Sequence, residues 1–148
     1  MSQPQSIDET TETYPVIGVT ADAVITTPGG RILLVKRRDD PYREYWALPG
    51  GYVEEDEKIH VGAARELAEE TGVRVHPKRL RYVDLFDDVK RDPRGRVITV
   101  AYAGTVPDGT GAKPGDDADQ ARWWPLDALP PLAFDHADII RAATGSTT

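Results

Sequence analysis

The 148-residue sequence predicts an α+β fold in which helices pack against the faces of a mixed β-sheet. Short segments rich in β-branched and apolar residues are separated by Gly-, Pro- and Asp-rich stretches, which is the pattern of strands and turns. Two other segments, one central and one near the end, place apolar residues at helical spacing. The resulting order of strands, loop, helix, strands and helix predicts this fold class.

The first strands follow a polar N-terminal segment. Residues 1–14 contain few apolar side chains, so we expect a flexible tail followed by a single domain over residues 15–148. Within that domain, residues 15–27 and 31–37 predict two strands joined by a Pro-Gly-Gly turn. A loop with a short extended piece at residues 46–48 leads from the second strand to a glycine pair.

The central segment predicts an amphipathic helix over residues 58–71. Four apolar residues recur there at helical spacing, and Gly72 follows at the position where a left-handed cap is expected. Beyond it, residues 80–89, 97–106 and 121–126 predict three strands, and residues 136–143 predict a terminal helix.

Composition narrows the possible functions. The formal net charge of −7 argues against a basic surface for nucleic acid, and the absence of cysteine excludes disulfides, thiolate metal sites and a cysteine nucleophile. No apolar run approaches the roughly 20 residues that cross a bilayer, and no secretory signal is visible, so we expect a cytoplasmic protein without a membrane partner. An anionic ligand would need local Arg or Lys side chains or a bridging metal ion.

The predicted helix gathers carboxylates on one face. Glu66, Glu69 and Glu70 stand at i, i+3 and i+4, so their side chains share one turn of the helix. Carboxylate oxygens suit Mg²⁺, with Mn²⁺ as a possible substitute. Upstream, Gly50 and Gly51 would let the backbone approach a metal ion or phosphate closely, and a backbone carbonyl there could complete the coordination.

The stretch "LPGGYVEEDEKIHVGAARELAEETGV", residues 48–73, resembles the signature of the Nudix hydrolase family. Gly51 is followed after five residues by Glu57, and after seven more by "RELAEETGV". The resemblance implies an α/β/α sandwich with a loop–helix–loop metal site. It also implies a pyrophosphohydrolase that cleaves a nucleoside diphosphate linked to another group.

The resemblance also implies roles for the acidic cluster. Glu69 and Glu70 are expected to be the principal Mg²⁺ ligands, with Glu66 as a further ligand or as the base that activates water. The Gly50 carbonyl is expected as another ligand, and Glu57 as either a ligand or a residue that fixes the loop. Arg65 is expected to orient these carboxylates.

Some members of the family take the general base from a loop outside the helix. The candidate in this sequence is Asp117, in "GDDADQARW", with Asp116 and Asp119 as alternatives. Aspartate is also a common turn residue, so a role in a solvated turn competes with this interpretation.

Residues in the loops around the helix are candidates for binding the substrate. Guanidinium groups grip phosphate bidentately, aromatic rings stack on bases, and a glycine allows close approach. The candidates are Arg37, Arg96, Trp46, Gly51, Phe134 and His136.

Three hypotheses for the substrate remain. Similarity of "KRDPRGRVITVAY" and "PPLAFDHADII" to small ADP-ribose pyrophosphatases favours cleavage of ADP-ribose to AMP and ribose 5-phosphate, although a proline that some of those enzymes carry after the motif is absent. Oxidised nucleoside triphosphates of the 8-oxo-dGTP type are the alternative. A non-catalytic nucleotide-sugar sensor is a third, which we rank lower because the acidic positions are intact and no DNA-binding domain follows. A homodimer is a possible assembly.

Overall fold

The computed structural model describes residues 13–115 and 118–145, so most of the predicted N-terminal tail lies outside the described residues. The described chain forms a seven-stranded sheet, two α-helices and a 3₁₀ turn at Pro77–Arg79. The strands are β1 (Gly18–Thr26), β2 (Arg31–Arg37), β3 (Trp46–Ala47), β4 (Gly50–Tyr52), β5 (Arg81–Phe86), β6 (Val97–Thr105) and β7 (Ala118–Pro125), and the helices are α1 (Ile59–Thr71) and α2 (His136–Thr144).

Strand β1 is the hub of the sheet. It pairs in parallel with β6 from Gly18↔Val97 to Thr26↔Thr105, and β5 continues the sheet beyond β6 in the antiparallel sense. On its other edge, β1 pairs with β4 near its start and with β2 at its end, and β2 in turn pairs with β3 and β7. This mixed pairing places the glycine pair of β4 directly beside β1.

The two helices cover opposite faces of the sheet. Because side chains alternate along a strand, Ala21, Ala23 and Ile25 of β1 pack with Leu67 of α1, whereas Val24 packs on the other face with α2. The predicted α/β/α sandwich is confirmed. No helix in the described part of the chain is long and apolar enough to cross a membrane.

The C-terminal end of α1 is held by several hydrogen bonds. Gly72 adopts a left-handed conformation, with φ of 74°, and its N–H donates to the carbonyl of Ala68. The loop before β7 then covers the last turn, since the N–H groups of Lys113 and Gly115 donate to the carbonyls of Thr71 and Glu70, both at 2.8 Å. Carbonyls that a helix end leaves without partners are thereby satisfied.

The sequence-based predictions agree with most elements. Strand β2 has the predicted bounds, and α1 and α2 lie within one residue of theirs. The last strand begins at Ala118 rather than at residue 121, because its pairing with β2 extends to Arg37↔Ala118. Strand β4 was not predicted, because "GGY" has little strand propensity and becomes a strand only through its pairing with β1.

Leu67→Ala tests how α1 is attached. Leu67 is fully buried against the sheet, so the substitution should lower the free energy of unfolding by about 2–5 kcal/mol, measured by denaturant titration. Val61→Ala, on an exposed part of the same helix, is the control and should change it by no more than about 0.5 kcal/mol. Equal effects would show that α1 does not pack as described.

Candidate active site

Arg65 connects the helix to the loop that precedes it. Its Nε and Nη2 donate to the two carboxylate oxygens of Glu57 at 2.9 and 2.8 Å, and Nη2 also donates to the carbonyl of Tyr52 at 3.1 Å. The hydrogen bonds from Arg65 hold the pKa of Glu57 below its usual value, and they raise the pKa of Arg65 in return. Glu57 also accepts from the N–H of Glu54 at 2.9 Å, so it links the loop to Arg65, while its two predicted roles both stay predictions.

The remaining Nη1 group of Arg65 holds two carboxylates of the helix face. It donates to Glu66 Oε1 at 2.9 Å and to the Glu69 carboxylate at 2.9 and 3.2 Å. These hydrogen bonds are consistent with the orienting role expected of Arg65, which stays a prediction. Glu69 is about half exposed, whereas the Glu66 side chain is only 19% exposed.

Glu66 lies against the glycine pair. A Cβ atom added to Gly51 would stand 2.7 Å from the Glu66 carboxylate carbon, so a side chain there would push the carboxylate away. Burial raises the pKa of Glu66, and the contact with Arg65 only partly opposes that effect. A cation beside Glu66 would stabilise its ionised form.

Glu70 meets the same loop from the other side. Its Oε1 accepts a hydrogen bond of 2.6 Å from the N–H of Gly50. Gly50 itself allows no side chain, since a Cβ atom would overlap the carboxylate of Asp22 and the carbonyl of Ala21. The loop and the helix therefore fit together through glycine on one side and carboxylates on the other.

The donors of this cluster fit a hard divalent cation. All of them are oxygens, as Mg²⁺ and Mn²⁺ require, and they carry an excess of negative charge over Arg65. Within residues 13–115 and 118–145, no three acidic or histidine side chains already surround one point. The carboxylates are instead hydrogen-bonded to Arg65 and to the Gly50 N–H. Metal binding would use Glu66, Glu69, Glu70 and the Gly50 carbonyl after those carboxylates turn towards the ion.

A cavity of about 260 Å³, which we call the cleft, opens beside this cluster. Gly50, Gly51 and Glu70 contribute one part of its lining. Another part comes from cationic and aromatic side chains of the surrounding loops, including Arg37, Arg38, Arg91, Arg94 and Phe134. The cleft therefore joins the carboxylate cluster to a group of cations.

Two guanidinium groups pack on one aromatic ring in the cleft. The Arg37 and Arg94 guanidinium carbons lie 4.9 and 5.4 Å from the centre of the Phe134 ring, within cation–π range. Burial lowers the pKa of Arg37, and the neighbouring Arg94 lowers it further, while Asp92, Asp39 and Glu70 act in the opposite direction. Two cations held this close would be stabilised by an anionic ligand between them.

Two ion pairs fix the loop between β5 and β6. Asp92 accepts from Nε and Nη2 of Arg94 at 3.0 and 2.8 Å, and Arg91 donates to both oxygens of Asp135 at 2.9 and 2.7 Å. Such bidentate pairs hold the planar guanidinium in a defined orientation. The pairs therefore tie this loop to the start of α2 and aim Arg94 at Phe134.

Three residues with predicted substrate contacts, Trp46, Arg96 and His136, have protein partners in the structure, and their substrate roles stay predictions. Trp46 is buried and packs edge-on against Trp124, with ring centres 5.1 Å apart, and it does not line the cleft. Arg96 does not line the cleft either, and its Nη1 donates a hydrogen bond of 2.7 Å to the carbonyl of Asp87. His136 borders the cleft but is only 5% exposed, with its Nδ1 occupied by the N–H of Leu48.

The sequence-based selection also missed residues of the cleft. Arg94 takes the place that was predicted for Arg96, and Asp92 is its partner. The signal that could have found them is "DPRG", because a turn of that composition brings its aspartate close to the backbone and side chain two residues later. Arg37, Gly51 and Phe134 line the cleft, and their predicted contacts with the substrate stay predictions.

Asp117, the predicted general base, and its alternative Asp116 lie outside the described residues. Their described neighbours border the site: Gly115 donates to the Glu70 carbonyl, and Ala118 lines the cleft. Asp119 is exposed on β7 and does not line the cleft. The role of Asp117 stays a prediction.

Comparison with known proteins agrees with this geometry. The NUDIX domain family model matches residues 16–143, so the chain belongs to the Nudix family. An ADP-ribose pyrophosphatase of Methanocaldococcus jannaschii is 41% identical over 128 residues, which cover 86% of this chain and 72% of that protein. The predicted family and enzyme class, a Nudix pyrophosphohydrolase, are confirmed.

The descriptions of other relatives name ADP-ribose. The ADPR responsive transcriptional repressor NtrR of Acinetobacter baylyi is 36% identical over 137 residues, covering 88% of this chain but only 54% of the repressor. The NUDIX domain of Shewanella oneidensis NrtR, solved with ADP ribose, superposes with a TM-score of 0.82 at 31% identity and 91% coverage of both chains. A bifunctional NMN adenylyltransferase/ADP ribose pyrophosphatase of Francisella tularensis, solved with AMP and Mn, gives 0.77 at 30% identity, covering 86% of this chain and 41% of that one.

Gly51→Ala tests the contact between the glycine pair and Glu66. The added methyl group would displace the flexible end of Glu66 rather than backbone, so the fold should persist while Mn²⁺ affinity, measured by electron paramagnetic resonance, falls roughly 10-fold. Gly111→Ala is the matched control, because a Cβ atom there meets open space. Unchanged Mn²⁺ affinity in Gly51→Ala would remove Glu66 from the metal site.

Proposed function

We propose that the protein hydrolyses ADP-ribose to AMP and ribose 5-phosphate with the help of Mg²⁺. The observation that carries this proposal is the cleft, whose lining combines the Gly50–Glu70 contact with the paired guanidinium groups of Arg37 and Arg94. A diphosphate needs positive charge along its length, and this protein is acidic overall. The named activities and ligands of the relatives make ADP-ribose the first choice among diphosphates.

The cations that line the cleft would hold the diphosphate together with the metal ligands. Arg37 keeps its Nε on the carbonyl of Pro41 at 2.7 Å, and Arg94 is oriented by Asp92, so both side chains are arranged before a ligand arrives. Groups that are fixed in advance lose little conformational entropy on binding. Because Phe134 already contacts both guanidinium groups and Tyr42, its part is to space the two cations rather than to stack on the base.

Hydrolysis adds water across the P–O–P linkage, so the bond between one phosphorus and the bridging oxygen breaks as the water oxygen bonds to that phosphorus. When bound, Mg²⁺ neutralises charge on the diphosphate and lowers the pKa of a coordinated water. Arg65 holds Glu66 and Glu69 on the helix face, and the Gly50 N–H holds Glu70. Glu66 or Asp117 would take the proton from the attacking water.

A second candidate function is ADP-ribose sensing without turnover. It is favoured by the 36% identity to an ADPR responsive repressor and by the structural match to the ADP ribose complex of NrtR. Binding of ADP-ribose with no release of AMP would indicate this function. The earlier expectations of a homodimer, of a cytoplasmic location and of no nucleic-acid partner stay predictions.

Turnover of a substrate panel decides between these functions. With Mg²⁺ present, ADP-ribose should be cleaved faster than 8-oxo-dGTP, with AMP and ribose 5-phosphate detected by chromatography, and a chelator should stop the reaction.

Glu70→Gln should lower kcat at least about 100-fold, since the amide oxygen still accepts from Gly50 while the charge is lost. Glu55→Gln, in the exposed part of the preceding loop, should retain the rate. If 8-oxo-dGTP were cleaved faster than ADP-ribose, the proposed substrate would be wrong. If the Glu70→Gln variant stayed active, the proposed role of Glu70 in the site would be contradicted.

Arg37→Ala tests the cationic part of the cleft. Loss of a charge-assisted contact to phosphate should raise KM for ADP-ribose roughly 10- to 100-fold and change kcat much less. Arg31→Ala, at the exposed start of the same strand, is the matched control and should leave both constants unchanged. If Arg37→Ala kept the KM of the unaltered protein, the diphosphate would not bind at the Arg37–Arg94 pair.

A further inference from the structure

His136 is a buried polar residue that links α2 to residues 48–51, the segment that contains the glycine pair. It is the first residue of α2, is only 5% exposed, and accepts a hydrogen bond of 2.9 Å at Nδ1 from the N–H of Leu48, 88 positions away in the chain. Its other ring nitrogen, Nε2, lies 3.8 Å from Asp22 Oδ2, which also accepts a hydrogen bond of 2.6 Å from the Thr99 hydroxyl. Asp22 and Thr99 are also buried. This polar group lies on the side of the sheet that α2 covers.

The hydrogen bond from Leu48 defines the protonation state of His136. A backbone N–H can donate only to an imidazole nitrogen that carries no proton, so Nδ1 is unprotonated and the proton of the neutral ring is on Nε2, facing Asp22. Burial lowers the pKa of His136, and the Asp22 carboxylate opposes this only in part. The ring therefore acts as a fixed acceptor for one backbone N–H.

The accepted N–H belongs to the segment that meets the carboxylate helix. Two residues after Leu48, the N–H of Gly50 donates to Glu70 at 2.6 Å, and between them the carbonyl of Pro49 accepts from the N–H of Ala23 at 2.9 Å. Consecutive residues of the loop are thus held by α2, by β1 and by α1. A shift of Leu48 would move Gly50, and it would therefore displace the N–H that donates to the Glu70 carboxylate.

We propose that His136 is a positioning residue, which sets the place of Gly50, with its N–H and its carbonyl, through the Leu48 N–H and does not contact the substrate. Two other roles are possible in principle for a buried histidine that borders the cleft. A residue that only fills the core would affect stability without affecting kcat, and a substrate-binding residue would affect KM. Only the kinetic part of the following test rests on the proposed ADP-ribose hydrolysis.

The first test is spectroscopic and uses the unaltered protein. Nitrogen-15 NMR of the imidazole at neutral pH should show the Nε2–H tautomer of His136, and the amide proton of Gly50 should have the downfield shift of a short hydrogen bond to a carboxylate. The Nδ1–H tautomer would overturn the proposal. This measurement needs neither turnover nor a substrate, so it stands even if ADP-ribose is not cleaved.

The second test compares two substitutions. His136→Leu removes the acceptor, which leaves a buried N–H unsatisfied, whereas the side-chain oxygen of His136→Asn can replace Nδ1. We expect His136→Leu to lower kcat for ADP-ribose roughly 10-fold with little change in KM and to shift the Gly50 amide signal, and His136→Asn to restore most of both. If the leucine variant does not fold, the asparagine variant and the NMR data decide the question.

A matched control comes from a second histidine. His76 accepts the same kind of bond at Nδ1, from the N–H of Lys78 at 3.1 Å, but it is exposed and does not line the cleft. His76→Leu should leave kcat and the Gly50 amide signal unchanged. The proposal is overturned if His136→Leu keeps the kcat of the unaltered protein, raises KM alone, or lowers kcat no more than His76→Leu does.

Discussion

One guanidinium group surrounded by carboxylates is the constraint on which the site depends. Arg65 lies within salt-bridge distance of Glu54, Glu57, Glu66 and Glu69, so four negative charges face one positive charge and a formal charge of −3 remains. Like charges at helical spacing repel each other. Arg65 keeps the carboxylates together, and the remaining negative charge would attract a divalent cation.

The rest of the fold brings two backbone segments up to this cluster. Small residues let the segments approach: Gly50 and Gly51 fit between β1 and the carboxylates, and Gly115 fits over the last turn of α1, where a side chain would overlap the carbonyl of Glu69. The parallel pairing of β1 with β6 brings the loop before β6, which carries Arg94, to the same cleft. Acidic and cationic residues that are far apart in the sequence therefore line one cavity.

Patterns of residues close together in the sequence predicted the elements that depend on interactions between those residues. The 3.6-residue period and the Gly72 cap defined α1, and the spacing from Gly51 to Glu70 defined the acidic cluster, because these features depend on neighbours in sequence. Tertiary contacts determined the rest. Strand β4 exists through pairing with β1, Trp46 is in the core because Trp124 packs on it, and Arg94 rather than Arg96 reaches the cleft because Asp92 orients it. A single sequence contains little information about such contacts between distant segments of the chain.

Diffraction from crystals soaked in Mn²⁺, with anomalous data, tests the central claim most directly. The account predicts one or more Mn²⁺ ions beside α1, with oxygens of Glu66, Glu69 and Glu70 turned from Arg65 and from the Gly50 N–H towards the metal. The account would be contradicted if the anomalous map showed no ion at these residues and Arg65 kept all of its carboxylate partners.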